Sequence, residues 1–162
     1  MIRSDEDYMR AALQQAEQAY RAGEVPIGAV VTYQDRIIGE GYNQTITQLD
    51  PSAHAEMLAI RAAAQAIGNY RLVGCTLYVT IEPCTMCVGL LVHSRIDCLV
   101  FGAPEPKAGA IRSASCVHEQ AHFNHEFEIR SGVLAEDCSG TMSRFFRERR
   151  LRQKALKKQL CP

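Results

Sequence analysis

The sequence has no run of about 18 uncharged apolar residues, the length that a membrane-spanning helix needs. Its first ten residues lack the basic stretch followed by an apolar one that is typical of a secretory signal. We therefore expect no membrane association and a cytoplasmic location. The chain also lacks the low hydrophobicity and high net charge of disordered proteins, since 47% of its 162 residues are hydrophobic and the net charge is zero. These absences predict one folded domain over residues 1–162.

The zero net charge conceals an uneven distribution along the chain. Residues 144–158 hold eight of the 18 basic residues and one of the 18 acidic ones, a local charge of +7 that residues 1–143 cancel. Two phenylalanines, Phe145 and Phe146, lie within this basic segment. Aromatic side chains among cations suit base stacking and phosphate contact, so the segment favours nucleic-acid binding over a merely solvated helix face.

Hydrophobic periodicity predicts a layered α/β domain. Helices are expected from Ser4 to Gly23, over residues 54–67, over about residues 84–93, and from Ala135 onward. A hairpin is expected over residues 27–41, with further strands over residues 75–81, 96–102 and 127–130. The order strand, helix, strand over residues 75–102 has the spacing of a parallel crossover.

Three side chains that commonly bind metals lie at the starts of two predicted helices. They are His54, Cys84 and Cys87. The C-x-x-C spacing puts both sulfurs on one side of a first helical turn, where unpaired N–H groups favour thiolates. Three protein ligands without an obvious fourth are typical of a zinc site with an open position for water.

Glu56 lies two residues after His54 and supplies the second requirement of such a site. Zinc brings the pKa of a bound water to about 7, and a nearby carboxylate can take that proton and deliver it to a substrate. Together the motifs form the H-x-E…P-C-x-x-C pattern of zinc deaminases. A structural zinc site with Cys75 or Cys98 as fourth ligand remains an alternative, whereas a redox-active C-x-x-C would leave the H-x-E motif unexplained.

Beyond these motifs, the sequence resembles the bacterial tRNA-specific adenosine deaminases of the cytidine deaminase-like superfamily over nearly its whole length. The resemblance is carried by residues 24–30, 39–43, 50–59, 69–72, 77–87, 93–96 and 145–147. It implies a three-layer α/β/α fold with a five-stranded mixed sheet in which strands 4 and 5 are parallel. The basic C-terminal helix, residues 144–160, would be part of that single zinc deaminase domain.

The resemblance also implies an activity and a set of contacts. The activity is hydrolytic conversion of adenosine to inosine at the wobble position (position 34) of a tRNA anticodon, by a homodimer with one Zn²⁺ per subunit. Glu56 would activate the water that attacks C6 of a flipped-out adenine, releasing ammonia. The expected contacts with the anticodon stem-loop are Asn43, Ile27, Ala55, Glu105, Lys107, Phe145, Phe146, Arg149 and Arg150.

Two other functions stay open on the sequence alone. The first is zinc-dependent deamination of a free base, nucleoside or nucleotide, of the guanine, cytosine or deoxycytidylate type. The second is a non-catalytic RNA-binding subunit stabilised by zinc. The basic aromatic tail disfavours the first, and the intact Glu56 disfavours the second.

Overall fold

A computed structural model describes residues 3–161 as a five-stranded sheet with helices on both faces. The strands are β1 (Gly28–Tyr33), β2 (Arg36–Tyr42), β3 (Cys75–Ile81), β4 (Cys98–Ala103) and β5 (Glu128–Ser131). The helices are α1 (Asp5–Arg21), α2 (Ala55–Ile67), α3 (Thr85–Ser94) and α4 (Ala135–Leu160), with a short 3-10 helix at Val117–Glu119. None of the described helices combines the length and apolar composition needed to cross a lipid bilayer.

The strand order is β2-β1-β3-β4-β5. Strand β1 is antiparallel to both β2 and β3, whereas β3, β4 and β5 run parallel to one another. The predicted five-stranded mixed sheet with parallel fourth and fifth strands is thus confirmed. Because β1 is antiparallel to β3, the start of β1 lies beside the carboxyl end of β3, where α3 begins.

Two buried hydrophobic clusters join the sheet to the helices, one on each face. One joins the sheet to α2 and α3 through residues such as Ala59, Leu77 and Leu91, and the other joins it to α1 and α4 through residues such as Met9 and Cys138. The three-layer α/β/α arrangement expected from the sequence is confirmed. A Cβ atom at Gly41 of β2 would lie 2.5 Å from the Ala55 carbonyl oxygen, so this glycine lets the first turn of α2 lie directly on the sheet.

Most helices and strands begin and end within two residues of the positions predicted from the sequence. Helix α1 begins with the expected capping pair, in which Ser4 and Asp7 bind each other's backbone N–H. Helix α2 ends at Gly68, whose left-handed conformation (φ 75°) closes the helix. The prediction that a strand begins at Ile96 was wrong by two residues. Arg95 takes a left-handed conformation (φ 58°), and Ile96 donates its N–H back to Leu91 before β4 begins.

Candidate metal centre and active site

The three predicted metal ligands converge at the carboxyl end of β3. His54 occupies the N-cap position of α2, Cys84 occupies that of α3, and Cys87 lies in the first turn of α3. The Nδ1 atom of His54 lies 3.6 Å from the sulfur of Cys84 and 3.6 Å from that of Cys87. All three ligand atoms lie within 4.8 Å of one another, although α2 and α3 are separate in sequence.

This spacing fits a tetrahedral zinc ion. Zinc–sulfur bonds of about 2.3 Å and zinc–nitrogen bonds of about 2.05 Å, opened to the tetrahedral angle, separate sulfur and nitrogen by about 3.6 Å. The donor set of one imidazole and two thiols is also the kind that zinc prefers. His54, Cys84 and Cys87 could therefore hold zinc with little movement, leaving a fourth position for water.

The electrostatics of the cluster favour a bound cation. A hydrogen bond from Cys87, together with contacts to His54, lowers the pKa of the Cys84 thiol to about 4. The pKa of Cys87 is raised, because it donates that hydrogen bond and is desolvated. The pKa of His54 is raised by its hydrogen bond to Cys84. Negative charge thus accumulates on sulfur at the positive end of a helix, the environment in which a thiolate binds a metal.

Glu56 lies in the first turn of α2 and is only 4% exposed. Burial raises the pKa of its carboxyl group to about 7, and the negative charge of Cys84 acts in the same direction. A buried carboxyl that can both accept and release a proton near neutral pH is suited to general acid–base catalysis. The short turn between His54 and Glu56 keeps this group beside the ligand cluster.

Asn43 connects three elements around the same site. It follows β2 and is buried, its Oδ1 accepts a hydrogen bond of 2.9 Å from the N–H of Ala55, and its own N–H donates to the carbonyl of Ile27. The side-chain amide is therefore fixed in orientation by the N-terminus of α2. Among residues 3–161, Nδ2 of Asn43 donates no hydrogen bond, so that donor is available to a ligand.

Comparison with known proteins agrees with this geometry. A family model described as the cytidine and deoxycytidylate deaminase zinc-binding region matches residues 2–103. The "tRNA-specific adenosine deaminase" of Haemophilus influenzae is 53% identical over 151 residues, covering 93% of this chain and 87% of that protein. The protein of the same name from Bacillus subtilis is 47% identical, covering 96% and 97%. The chain belongs to the tRNA-specific adenosine deaminase family.

A solved structure extends the agreement to three dimensions. It comes from work on A-to-I editing by tRNA deaminases at the wobble position of transfer RNA. The two chains are 39% identical and superpose with a TM-score of 0.81, over 83% of this chain and 98% of that one. The deaminase fold is thus shared over the sheet and its helices.

Four of the predicted substrate contacts lie around one cleft of this deaminase. Glu105, Lys107, Phe146 and Arg150 line a cavity of about 540 Å³ between the loop after β4 and helix α4. The loop residues come from one side and the helical residues from the other. Cationic, acidic and aromatic groups therefore face one another across an open cleft.

Phe145 and Arg149 lie on a different side of α4. Phe145 is 9% exposed, and its ring packs edge-on against Tyr20 of α1 at a centroid distance of 5.6 Å. Arg149 lines a smaller cavity of about 250 Å³ that also includes Tyr20 and Ile46. The Phe145 ring is taken up by packing, so in this structure it anchors the helix, while Phe146 is the aromatic ring presented at the cleft.

Two buried carboxylates near the site did not emerge from the sequence. Glu24 is 1% exposed and accepts hydrogen bonds from the backbone N–H groups of Ile46 and Thr47. Glu82 is 4% exposed and accepts backbone hydrogen bonds from the loop of residues 105–113. Glu24 lies two residues before Pro26, ahead of β1, and Glu82 lies directly before Pro83, after β3. A proline in the sequence indicates the boundary of a strand, but it does not show which groups hydrogen-bond to the nearby carboxylate.

The remaining cysteines considered as a fourth ligand lie elsewhere. Cys75 begins β3, whereas the predicted metal ligands lie beyond the carboxyl end of that strand. Seven residues of extended strand put the two places about 20 Å apart. Cys98 begins β4 at the same far end of the sheet. Burial raises the pKa of Cys75 to about 11. Within the described part of the chain, His54, Cys84 and Cys87 are the one group of three or more potential ligands close enough to share a metal ion.

Proposed function

We propose that this protein catalyses the hydrolytic deamination of adenosine to inosine at the wobble position of a tRNA anticodon, with one zinc ion per chain. The observation that carries the proposal is the cluster of His54, Cys84 and Cys87 beside the buried carboxyl of Glu56. Its substrate is proposed from the relatives named tRNA-specific adenosine deaminase, which match more than nine-tenths of the chain.

Zinc at this cluster would supply Lewis-acid activation of a water molecule, lowering its pKa towards 7. Glu56 would accept a proton from that water as its oxygen attacks C6 of adenine, and would pass the proton to N1. In the second half of the reaction the carboxylate would take the remaining proton from the hydroxyl now on C6 and deliver it to the exocyclic amine. The C6–N bond then breaks, ammonia leaves, and the ring retains the oxygen as inosine.

Asn43 would orient the base for this attack. Its Oδ1 is occupied by the N–H of Ala55, which leaves Nδ2 to donate to an acceptor on the adenine edge. Ile27 and Ala55, the two backbone partners of Asn43, would flank the base as the walls of its pocket. Reaching this buried position requires a nucleotide turned out of its stack, which costs less in a single-stranded loop than in a duplex.

The cleft between the loop after β4 and α4 would hold the RNA on either side of that nucleotide. Phe146 offers a ring for stacking, and Lys107 and Arg150 offer charges for phosphates. Arg149 would contribute from the neighbouring cavity. We assign Phe145 an indirect role, since its buried ring fixes the helix that carries these groups.

We further propose a homodimer that acts in the cytoplasm as a single catalytic domain per chain. The outer surface near α2 and α3 exposes apolar side chains, including Tyr70 (69% exposed) and Val73 (64%). Such a patch supports a protein contact. All seven cysteines are free thiols, which suits a reducing compartment. Sedimentation at several concentrations tests the dimer, and a monomer at micromolar concentration would contradict it.

A substrate comparison tests the proposed function against deamination of small molecules. The protein is incubated with an anticodon stem-loop RNA carrying adenosine at the wobble position and, separately, with adenosine, guanine, cytosine and deoxycytidylate. We expect a kcat/KM for the RNA at least a hundredfold above that for any small substrate. Glu56→Gln, which keeps the size of the side chain, is the matched control and should deaminate none of them. Faster deamination of guanine or deoxycytidylate would refute the assignment to tRNA.

A further inference from the structure

Glu82 lies between the metal-binding helix and the wall of the substrate cleft. It follows the last residue of β3 and precedes Pro83 and Cys84, with its carboxylate turned away from the ligand cluster towards the loop of residues 105–113. That loop carries Glu105 and Lys107, which face α4 across the cleft. One buried side chain thus touches the segment that is proposed to meet RNA.

The contacts of Glu82 are divided between its two oxygens. Oε2 accepts the backbone N–H groups of Ile111, Arg112 and Ser113 at 2.9 to 3.1 Å. Oε1 accepts the N–H of Glu105 at 3.2 Å and the hydroxyl of Ser113. The carboxylate therefore ties the beginning of the loop to its end.

Gly109 shows how closely the loop is drawn to this carboxylate. A Cβ atom at Gly109 would collide with the carboxyl group of Glu82. The N–H of Ala110 also donates to the carbonyl of Pro83 at 2.8 Å, so the loop is fastened to the start of α3 at a second point. None of these contacts involves the side chain of His54, Cys84 or Cys87.

We propose that Glu82 is a positioning residue for RNA binding, which holds Glu105 and Lys107 at the cleft opposite α4 by anchoring the backbone of residues 105–113. The proposal rests on the proposed function for its RNA, whereas the anchoring itself does not. A positioning role through the cleft wall predicts an effect on KM. A role in placing Cys84 predicts instead a loss of zinc and of kcat.

Glu82→Gln separates these roles because the amide has only one oxygen. That oxygen satisfies most partners when it faces Ile111, Arg112 and Ser113, which turns the amide nitrogen towards the N–H of Glu105. Two donors then oppose each other, while the hydroxyl of Ser113 can rotate to accept. The variant should therefore release the start of the loop and keep its end attached.

The experiment measures steady-state kinetics on the anticodon stem-loop RNA together with zinc content. For Glu82→Gln we expect KM to rise about tenfold, equivalent to 1.4 kcal/mol, with kcat within about twofold and zinc unchanged. Glu40→Gln removes an exposed charge of β2 and is the matched control, with no expected change. An unchanged KM, or a fall in kcat accompanied by loss of zinc, would overturn the proposal.

A double-mutant cycle tests whether Glu82 acts through the loop side chains. In a background of Glu105→Ala and Lys107→Ala, adding Glu82→Gln should change KM less than twofold, because the groups to be positioned are gone. A full tenfold effect in that background would contradict the proposed route.

Hydrogen exchange tests the anchoring of residues 105–113 by Glu82 independently of any activity measurement. In the wild-type chain the amides of Glu105 and Arg112 should exchange more slowly than that of Ala108, and in Glu82→Gln the amide of Glu105 should exchange faster. Glu24→Gln should instead accelerate exchange in the loop that contains Thr47. Equal exchange at Glu105 and Ala108 in the wild type would overturn the anchoring even if the RNA is not a substrate.

Discussion

The end of α4 offers the sharpest prediction about RNA binding. Every residue from 151 to 161 is exposed, and three lysines lie there, Lys154, Lys157 and Lys158. The one acid of the basic segment, Glu148, accepts a hydrogen bond from Tyr20 and is held against α1. Removing residues 154–162 therefore takes away three cations while leaving the buried anchor Phe145 in place.

The expected size of the effect follows from counterion release. Each phosphate of single-stranded nucleic acid that a protein neutralises contributes about 0.7 to the slope of log K against log salt concentration. Three lysines that each meet one phosphate then give a slope smaller by about 2. We expect this smaller slope when binding of the anticodon stem-loop RNA is titrated at salt concentrations from about 50 to about 200 mM.

Two controls separate charge from helix length. A full-length variant with Lys154, Lys157 and Lys158 replaced by Gln should reproduce the smaller slope of the truncated protein, whereas replacement by Arg should restore the wild-type slope. At saturating RNA the kcat of all three should match that of the wild type, because the lysines lie at the exposed end of α4, whereas Glu56 is buried in α2. An unchanged slope after truncation would refute the reasoning and remove the end of α4 from the binding surface.

Three further changes test the site and its support. Asn43→Asp keeps an acceptor for the N–H of Ala55 but loses the amide donor. We therefore expect kcat/KM to fall about a hundredfold, equivalent to about 2.7 kcal/mol, with little change in melting temperature. An unaltered kcat/KM would contradict the role of Nδ2. Cys87→Ser should lose bound zinc in elemental analysis, whereas Cys98→Ser at the far end of the sheet should retain it, and equal zinc in both would refute the ligand set. Phe145→Ala should destabilise the protein by about 3 kcal/mol, the low end for a buried aromatic ring, and thermal denaturation at an unchanged temperature would contradict its role as an anchor.

The sequence predicted what depends on local spacing. The capping pair of Ser4 and Asp7 lies within one helical turn, and the convergence of His54 with Cys84 follows from two helices that start at the same edge of a sheet. These signals need only the period of each element and the order of the chain. The α/β class and the ligand cluster could therefore be reached from spacing and element order, whereas the five-stranded sheet with parallel fourth and fifth strands was expected from the family resemblance.

What could not be predicted depends on contacts between distant segments. Phe145 and Phe146 are neighbours in sequence, but about 100° of helical rotation puts one ring against α1 and the other at the cleft. The sequence alone does not determine which face of α4 packs against α1. Glu82 is bonded to backbone groups more than 20 residues away, and no side-chain pattern records such partners.

The central claim is tested most directly by reading the wobble base itself. A transcribed tRNA with adenosine at the first anticodon position is incubated with the zinc-loaded protein, and the position is then sequenced. The account predicts that this adenosine is read as guanosine, as inosine is, that no other adenosine changes, and that Glu56→Gln leaves the tRNA unaltered. Adenosine that remains unchanged under the wild-type protein, or inosine formed equally by Glu56→Gln, would contradict it.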